Sequence, residues 1–116
     1  MKKVIFYETV TGKCPVEDFL DTLSSKQAQK AAWVFRLIEE VPFVPQKYLK
    51  KLVNTEDIWE VRVSYANNIF RFLGFFDEPE LIILSHVFQK KSQKTPHKDI
   101  KITQDRKKEY FKRRLQ

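Results

Sequence analysis

Arg62, Arg71, His86 and Lys90 are the residues whose types and spacing suit chemistry. Each lies within or at the end of an apolar run, where a charge needs a reason. A guanidinium recognises phosphate through two parallel hydrogen bonds, so two arginines suit a phosphodiester better than a single carboxylate. Histidine, with a reference pKa of about 6.5, can act as base or acid near neutral pH. This set suits RNA cleavage by the strand's own 2′-hydroxyl. The hydroxyl needs a base, the phosphorane needs positive charge and the leaving 5′-oxygen needs an acid. Arg62 and Arg71 would carry the transition-state charge, His86 the proton and Lys90 further positive charge. Lys91, Lys94 and Lys98 follow closely and would hold the RNA backbone. DNA lacks the 2′-hydroxyl, so the mechanism is specific for RNA. A purely structural reading instead pairs Glu60 with Arg62 and ties His86 to Ser64 or to backbone.

Other chemistries find little support. Asp77, Glu78 and Glu80 sit in a turn and form no cluster for a two-metal nuclease. Gly12 and Gly74 are the sole glycines, so neither a phosphate-binding glycine loop nor a nucleophile elbow is present. One cysteine, Cys14, and two histidines spread along the chain make no zinc pattern. No metal and no cofactor is expected.

The elements that must position these residues follow from periodicity. Residues 2–9 read as a strand, 11–15 as a turn and 16–20 as a short helix with acidic residues in its first turn. Ser24 and Ser25 are candidate N-caps for a helix over 26–41, with an apolar stripe of Ala28, Ala31, Ala32, Phe35, Leu37 and Ile38 widened by Trp33 and Val34. Pro42 and Pro45 stop it. Residues 47–53 are ambiguous between a turn of helix and irregular structure, and their three lysines could help bind an anion, although a solvated edge suits them better. Thr95 and Pro96 open a final helix with a thin apolar edge (Ile100, Thr103, Lys107, Tyr110, Phe111, Leu115) and a broad basic face.

Between these helices lie three apolar strands within residues 58–90. Directly paired residues on neighbouring strands share a face. A hairpin centred on Asn67-Asn68 pairs Val63 with Phe72 and Ser64 with Arg71. A second turn centred between Glu78 and Pro79 pairs Phe72 with Ser85 and Arg71 with His86. One face then holds Trp59, Val61, Val63, Phe70, Phe72, Gly74, Phe76, Leu81, Ile83, Ser85 and Val87, to be covered by the two N-terminal helices. The other holds Ile58, Glu60, Arg62, Ser64, Arg71, Leu73, Phe75, Ile82, Leu84, His86, Phe88 and Lys90. It is expected to be open, apolar at one end and cationic at the other. A one-residue bulge would break this parity.

Bulk properties agree with one domain over residues 1–116: 42% hydrophobic and 14% aromatic residues are enough for a core. The fold class expected is α+β, a small antiparallel-rich sheet of an N-terminal strand plus a three-strand meander. The net charge of +7 is uneven, because residues 86–116 carry eight Lys and three Arg against three acids. A polyanion or an acidic protein is the natural partner. No apolar run approaches the roughly 20 residues of a membrane span, and the N-terminus lacks a signal-peptide pattern. A cytoplasmic location and no membrane partner are expected.

Three segments carry a resemblance: Ile58-Trp59-Glu60-Val61-Arg62-Val63, then Ile69-Phe70-Arg71-Phe72, then Leu84-Ser85-His86-Val87-Phe88-Gln89-Lys90-Lys91-Ser92-Gln93-Lys94-Thr95-Pro96. In these the chain resembles the RelE/HigB toxin superfamily, most nearly its phage-derived HigB-like branch. The resemblance implies a RelE-like fold and a type II toxin that cleaves mRNA on the ribosome. It also implies a cognate helix-turn-helix antitoxin, HigA-like, through whose complex operator DNA would be bound. By motif position the strand arginines of that family correspond to Arg62 and Arg71, and its basic segment to Lys90, Lys91 and Lys94. Relatives outside this branch often use a tyrosine near the C-terminus. None follows the Lys-Thr-Pro motif closely here, and Tyr110 lies deep in the last helix. Glu60 stands where some relatives have lysine, and Phe70 where tyrosine is common. The general base is left open, with His86 the first candidate.

Overall fold

A computed structural model describes residues 1–89 and 94–115. The elements run β1 (Lys3–Phe6), α1 (Pro15–Leu20), α2 (Ser25–Glu40), β2 (Leu49–Lys51), β3 (Trp59–Tyr65), β4 (Asn68–Glu78), β5 (Leu81–Gln89) and α3 (His97–Arg114). Helix α1 opens on Pro15, whose fixed φ suits a first turn. Helix α2 is set by a capping box: the Ser24 hydroxyl accepts from the Gln27 N–H, and the Gln27 side chain accepts from the Ser24 N–H. Helix α3 begins with Pro96 as its N-cap, without a side-chain cap, so Thr95 does not serve as one.

The class is α+β, as the sequence implies, but the sheet is mixed and has five strands rather than four. Its order is β1-β5-β4-β3-β2, with β1 parallel to β5 and every other pair antiparallel. The additional strand is β2, from the stretch that reads as ambiguous. Three residues, two of them exposed lysines, give a strand too short to show a period. It forms an edge on β3, with Lys50 opposite Glu60.

One sheet face carries the main core. Val61, Val63, Phe70, Phe72, Ile82 and Leu84 meet Val16 of α1 and Ala31, Val34 and Ile38 of α2, all essentially inaccessible. Phe35 and Phe19 set their rings edge-on against Phe72, at 5.1 and 6.4 Å between centroids. Trp33 does not join this core. It is 45% exposed, with the Lys30 ammonium 4.7 Å above its ring, because the buried line of α2 runs Ala31-Val34-Ile38 and leaves Ala32 and Trp33 outside.

The strand registers differ from the parity reading in an instructive way. The first hairpin turns on Ala66-Asn67, so Arg62 pairs with Arg71 and Val63 with Phe70. That is a slip of two residues, which leaves every side chain on its expected face. Ala66 takes a positive φ of 53°, which such a turn requires and alanine rarely signals. The second hairpin contains two register shifts, one between Leu73 and Gly74 and one between Phe76 and Glu78. They leave Ser85 and Asp77 as the extra residues of bulges. Before Ser85 the parity of β5 is inverted. Ile82 and Leu84 enter the main core, and Ile83 faces the other side, the reverse of the expected faces. Beyond Ser85 parity is restored, with Leu73 opposite His86 and Phe72 opposite Val87. Gly74 lies at this shift, where a Cβ would come within 2.0 Å of the Ile83 carbonyl oxygen. Only glycine fits there.

The second face is not open, because α3 lies across it. Phe75 and Ile83 form a smaller core with Tyr7, Tyr110 and Phe111. Both bulges serve as docking points for the helix. The Ser85 carbonyl accepts from Arg106, while Asp77 accepts from the Tyr110 hydroxyl at 2.8 Å and from Arg114. The Tyr7 hydroxyl bonds Glu109 at 2.5 Å. Burial, with that carboxylate adding to it, pushes the Tyr7 phenol up to about 12. Among the described residues no helix is long and apolar enough to cross a membrane.

Candidate functional site

Strand β3 places Glu60 and Arg62 on the face beneath α3, and β4 places Arg71 there. Their roles separate at once. The Arg71 side chain is 2% exposed, and its Nη1 lies 2.8 and 3.3 Å from the two oxygens of Glu60. Glu60 is itself buried. Two desolvated charges this close hold one another in place, so Arg71 is committed inside the protein. Arg62 is different. Its side chain keeps 27% of its surface, and its nearest carboxylate oxygen, on the same Glu60, is 3.8 Å away. One buried carboxylate facing two guanidiniums leaves a net positive charge, and Arg62 is the member that carries it toward solvent.

His86 also lies on this face, one row from Arg71 in the ladder. Its Nε2 is 2.7 Å from Asp99 Oδ1, and its ring stacks on Phe88. Asp99 is buried in the first turn of α3, so the pair ties the helix N-terminus to the sheet. The sequence alternatives for His86, Ser64 or backbone, are replaced by a carboxylate from an element distant in sequence. Glu60, expected in the structural reading to serve Arg62, serves Arg71 first.

Between the β2–β3 edge and the N-terminal half of α3 opens a cleft of about 600 Å³. Glu60 and Arg62 stand on its sheet side, with Lys50 from β2. Lys94, Thr95, His97, Ile100, Lys101 and Gln104 line it from the helix side. Leu52, Val53 and Asn54, which follow β2, complete the lining. The volume falls within the roughly 300–1,000 Å³ of pockets that hold small organic ligands.

Of the residues singled out in the sequence, Arg62 and Lys94 therefore reach the cleft, while Arg71 and His86 lie behind it, each held by a carboxylate. Lys98 is exposed on α3 and outside the lining. Lys90 and Lys91 lie outside the described residues. Lys50, Asn54, His97, Ile100, Lys101 and Gln104 were not singled out as site residues. For the helix members a signal existed: positions 97, 100, 101 and 104 are spaced to share one helix face. For Lys50 the signal is the three-lysine cluster of residues 47–53, and for Asn54 there is none, because β2 has no period to read.

Among the described residues no group of three or more His, Cys, Asp or Glu is arranged to hold a metal ion. Cys14 is half-buried, and burial pushes its thiol above the usual range, away from the reactive thiolate. The arrangement can bind an anion at Arg62 and the surrounding ammonium groups, with an imidazole, His97, on the rim.

No curated protein matches the chain. A family model, that of the phage-derived Gp49-like proteins (DUF891), matches residues 18–108. That span runs from α1 through the whole of β2 to β5 and most of α3, and it takes in every wall of the cleft. The chain belongs to this Gp49-like family of phage-derived proteins.

Proposed function

We propose that this chain is the toxin of a type II toxin–antitoxin pair, a metal-independent endoribonuclease that cuts mRNA on the ribosome and so inhibits translation. The observation that carries the reading is the accessible Arg62 on the wall of a cleft ringed by Lys50, Lys94 and Lys101. Membership of a phage-derived family and the RelE/HigB-like motifs support it, with a RelE-like fold as part of the proposal.

In this mechanism the 2′-hydroxyl attacks the adjacent phosphorus, the bond to the 5′-oxygen breaks, and a cyclic phosphate and a free 5′-hydroxyl result. Arg62 faces the phosphoryl oxygens and stabilises the charge that grows on them. Arg71 acts from behind by fixing Glu60, which otherwise would neutralise Arg62. The rim imidazole of His97 moves the proton, while His86, held behind the cleft by Asp99, fixes the N-terminus of α3. Lys94, and with it Lys90, Lys91 and Lys98, holds the RNA backbone. The partner is a helix-turn-helix antitoxin, operator DNA is bound through the complex of the two, and the site of action is the cytoplasm.

The test is induction in growing bacteria followed by primer extension on cellular mRNA. The expected result is growth arrest with discrete new 5′ ends within translated codons. Arg62→Ala should abolish both, and arrest undiminished by that change would remove the cleft from the mechanism. Arg71→Ala is the poorer probe, because it strands Glu60 without its partner.

A second reading is a translation inhibitor that binds RNA or the ribosome without cutting. The engagement of His86 by Asp99 favours it, since that imidazole is not presented to the cleft. Arrest without new 5′ ends would select this reading.

A further inference from the structure

The lining of the cleft mixes two chemistries, and the mixture has a meaning beyond charge. Arg62, Lys50 and Lys101 supply cations to it, whereas Leu52, Val53 and Ile100 supply apolar surface. Val53 is 83% exposed, so it presents apolar surface to solvent at the cleft. The lining also includes the amides of Asn54 and Gln104. Neither amide makes a side-chain hydrogen bond among the described residues. Asn54 is held at φ 57° in the turn after β2, which fixes where its side chain starts.

We infer that the cleft seats a single unstacked nucleotide, its phosphate toward Arg62 and its base against Leu52, Val53 and Ile100, with Gln104 and Asn54 reading the base edge. A cation cluster alone would suit any polyanion. An apolar wall within the same small cavity suits the flat face of a heterocycle, which single-stranded RNA can turn out of its stack. Amides carry a donor and an acceptor side by side, the pattern that distinguishes one base edge from another. The chain thereby gains a preference for sequence and not only for charge. The inference rests on the RNA-cleaving reading for the identity of its substrate, but the seat itself can be measured without cleavage.

The experiment titrates the purified full chain with the four nucleoside 3′-monophosphates and with ribose 5-phosphate, followed by amide chemical shifts. The best nucleotide should bind about tenfold more tightly than ribose 5-phosphate, the increment expected for burying part of a base on aliphatic surface. Val53→Ser combined with Ile100→Ser should remove that increment and leave ribose 5-phosphate binding in place. Gln104→Leu should collapse the spread of affinities among the four bases. Equal affinity for the nucleotides and ribose 5-phosphate would overturn the base seat and leave an anion site. A spread unchanged by Gln104→Leu and by Asn54→Ala would overturn the role of the amides. Primer extension on wild-type arrest reports separately on the nuclease reading. Base-dependent binding with no new 5′ ends retains the seat and rejects the nuclease.

Discussion

The two faces of the sheet are covered in different ways. Toward α1 and α2, Phe70, Phe72, Val61, Val63, Ile82 and Leu84 pack on aliphatic and aromatic residues with no charge among them. Toward α3 the apolar contact shrinks to Phe75, Ile83, Tyr7, Tyr110 and Phe111. Individual polar contacts add to it: His86 to Asp99, Tyr7 to Glu109, Arg106 to the Ser85 carbonyl, Tyr110 and Arg114 to Asp77, while Arg71 to Glu60 joins two strands beneath the helix. Non-directional burial gives stability over a broad area. Directional contacts fix where a helix ends relative to a strand, and so they can hold a cleft open beside a packed surface. The first face makes the fold, and the second frames the cleft.

The largest effect expected from breaking this contrast is at Phe72. Its ring lies at the centre of the main core, and Phe72→Ala should cost about 3–5 kcal/mol. Chemical denaturation would measure it. For a domain of this size that is a large share of the total. A loss under about 1 kcal/mol would mean that the α1–α2 face is not the main source of stability.

Next comes the buried pair. Arg71→Met leaves Glu60 charged and desolvated with Arg62 as its remaining neighbour, and should cost about 3 kcal/mol. Adding Glu60→Leu removes the stranded charge, so the double variant should regain most of that loss. A double variant no more stable than Arg71→Met would show that these side chains act through packing rather than through charge.

A smaller effect lies in the tie between β1 and α3. The Tyr7 phenol is raised from an ordinary 10.0 to about 12 in the folded chain. A raised acid group disfavours its ionised form in the native state. The tie therefore contributes fully below pH 10 and is lost as pH rises from there through about 12. Tyr7→Phe should flatten the stability profile in that alkaline window and leave the slope below it unchanged. Identical alkaline slopes for the two proteins would remove Tyr7 from the tie.

What the sequence made legible follows the same division. The face that packs on α1 and α2 could be read from β3 and β4, because a hairpin slip of two residues preserves parity. In β5 it could not. Leu81, Ile82, Ile83 and Leu84 are all apolar, so alternation carries no information there, and the bulge at Ser85 decides which pair turns inward. Gly74 was the one trace of it, since a glycine within a strand marks close approach of another backbone. The sequence puts Glu60, Arg62, Arg71 and His86 on the correct face, but their partners are hidden. Asp99 reaches His86 only once α3 is laid on the sheet, and the 3.6-residue period of that helix is blurred by lysines on nearly every side. The cleft was illegible for the same reason, as it belongs to the gap between β2 and α3 rather than to either element.

The smallest effect on the fold should come with a large effect on binding, at Arg62. Its side chain is partly in water and its contact with Glu60 is long, so Arg62→Ala should change stability by about 1 kcal/mol or less. A little of Arg71's hold on Glu60 should even strengthen, because the carboxylate no longer divides its charge between two cations. RNA binding should weaken across all sequences, and the slope of log affinity against log salt should fall by about one if Arg62 meets a phosphate. Filter binding of a short single-stranded RNA at several salt concentrations measures both quantities. A variant that keeps its salt slope but loses stability would place Arg62 with Arg71, among the residues that build the second face. An unchanged fold with a reduced slope would separate two arginines that face each other across one pair of strands: one holds the sheet's buried carboxylate, and the other is free to meet the ligand's charge.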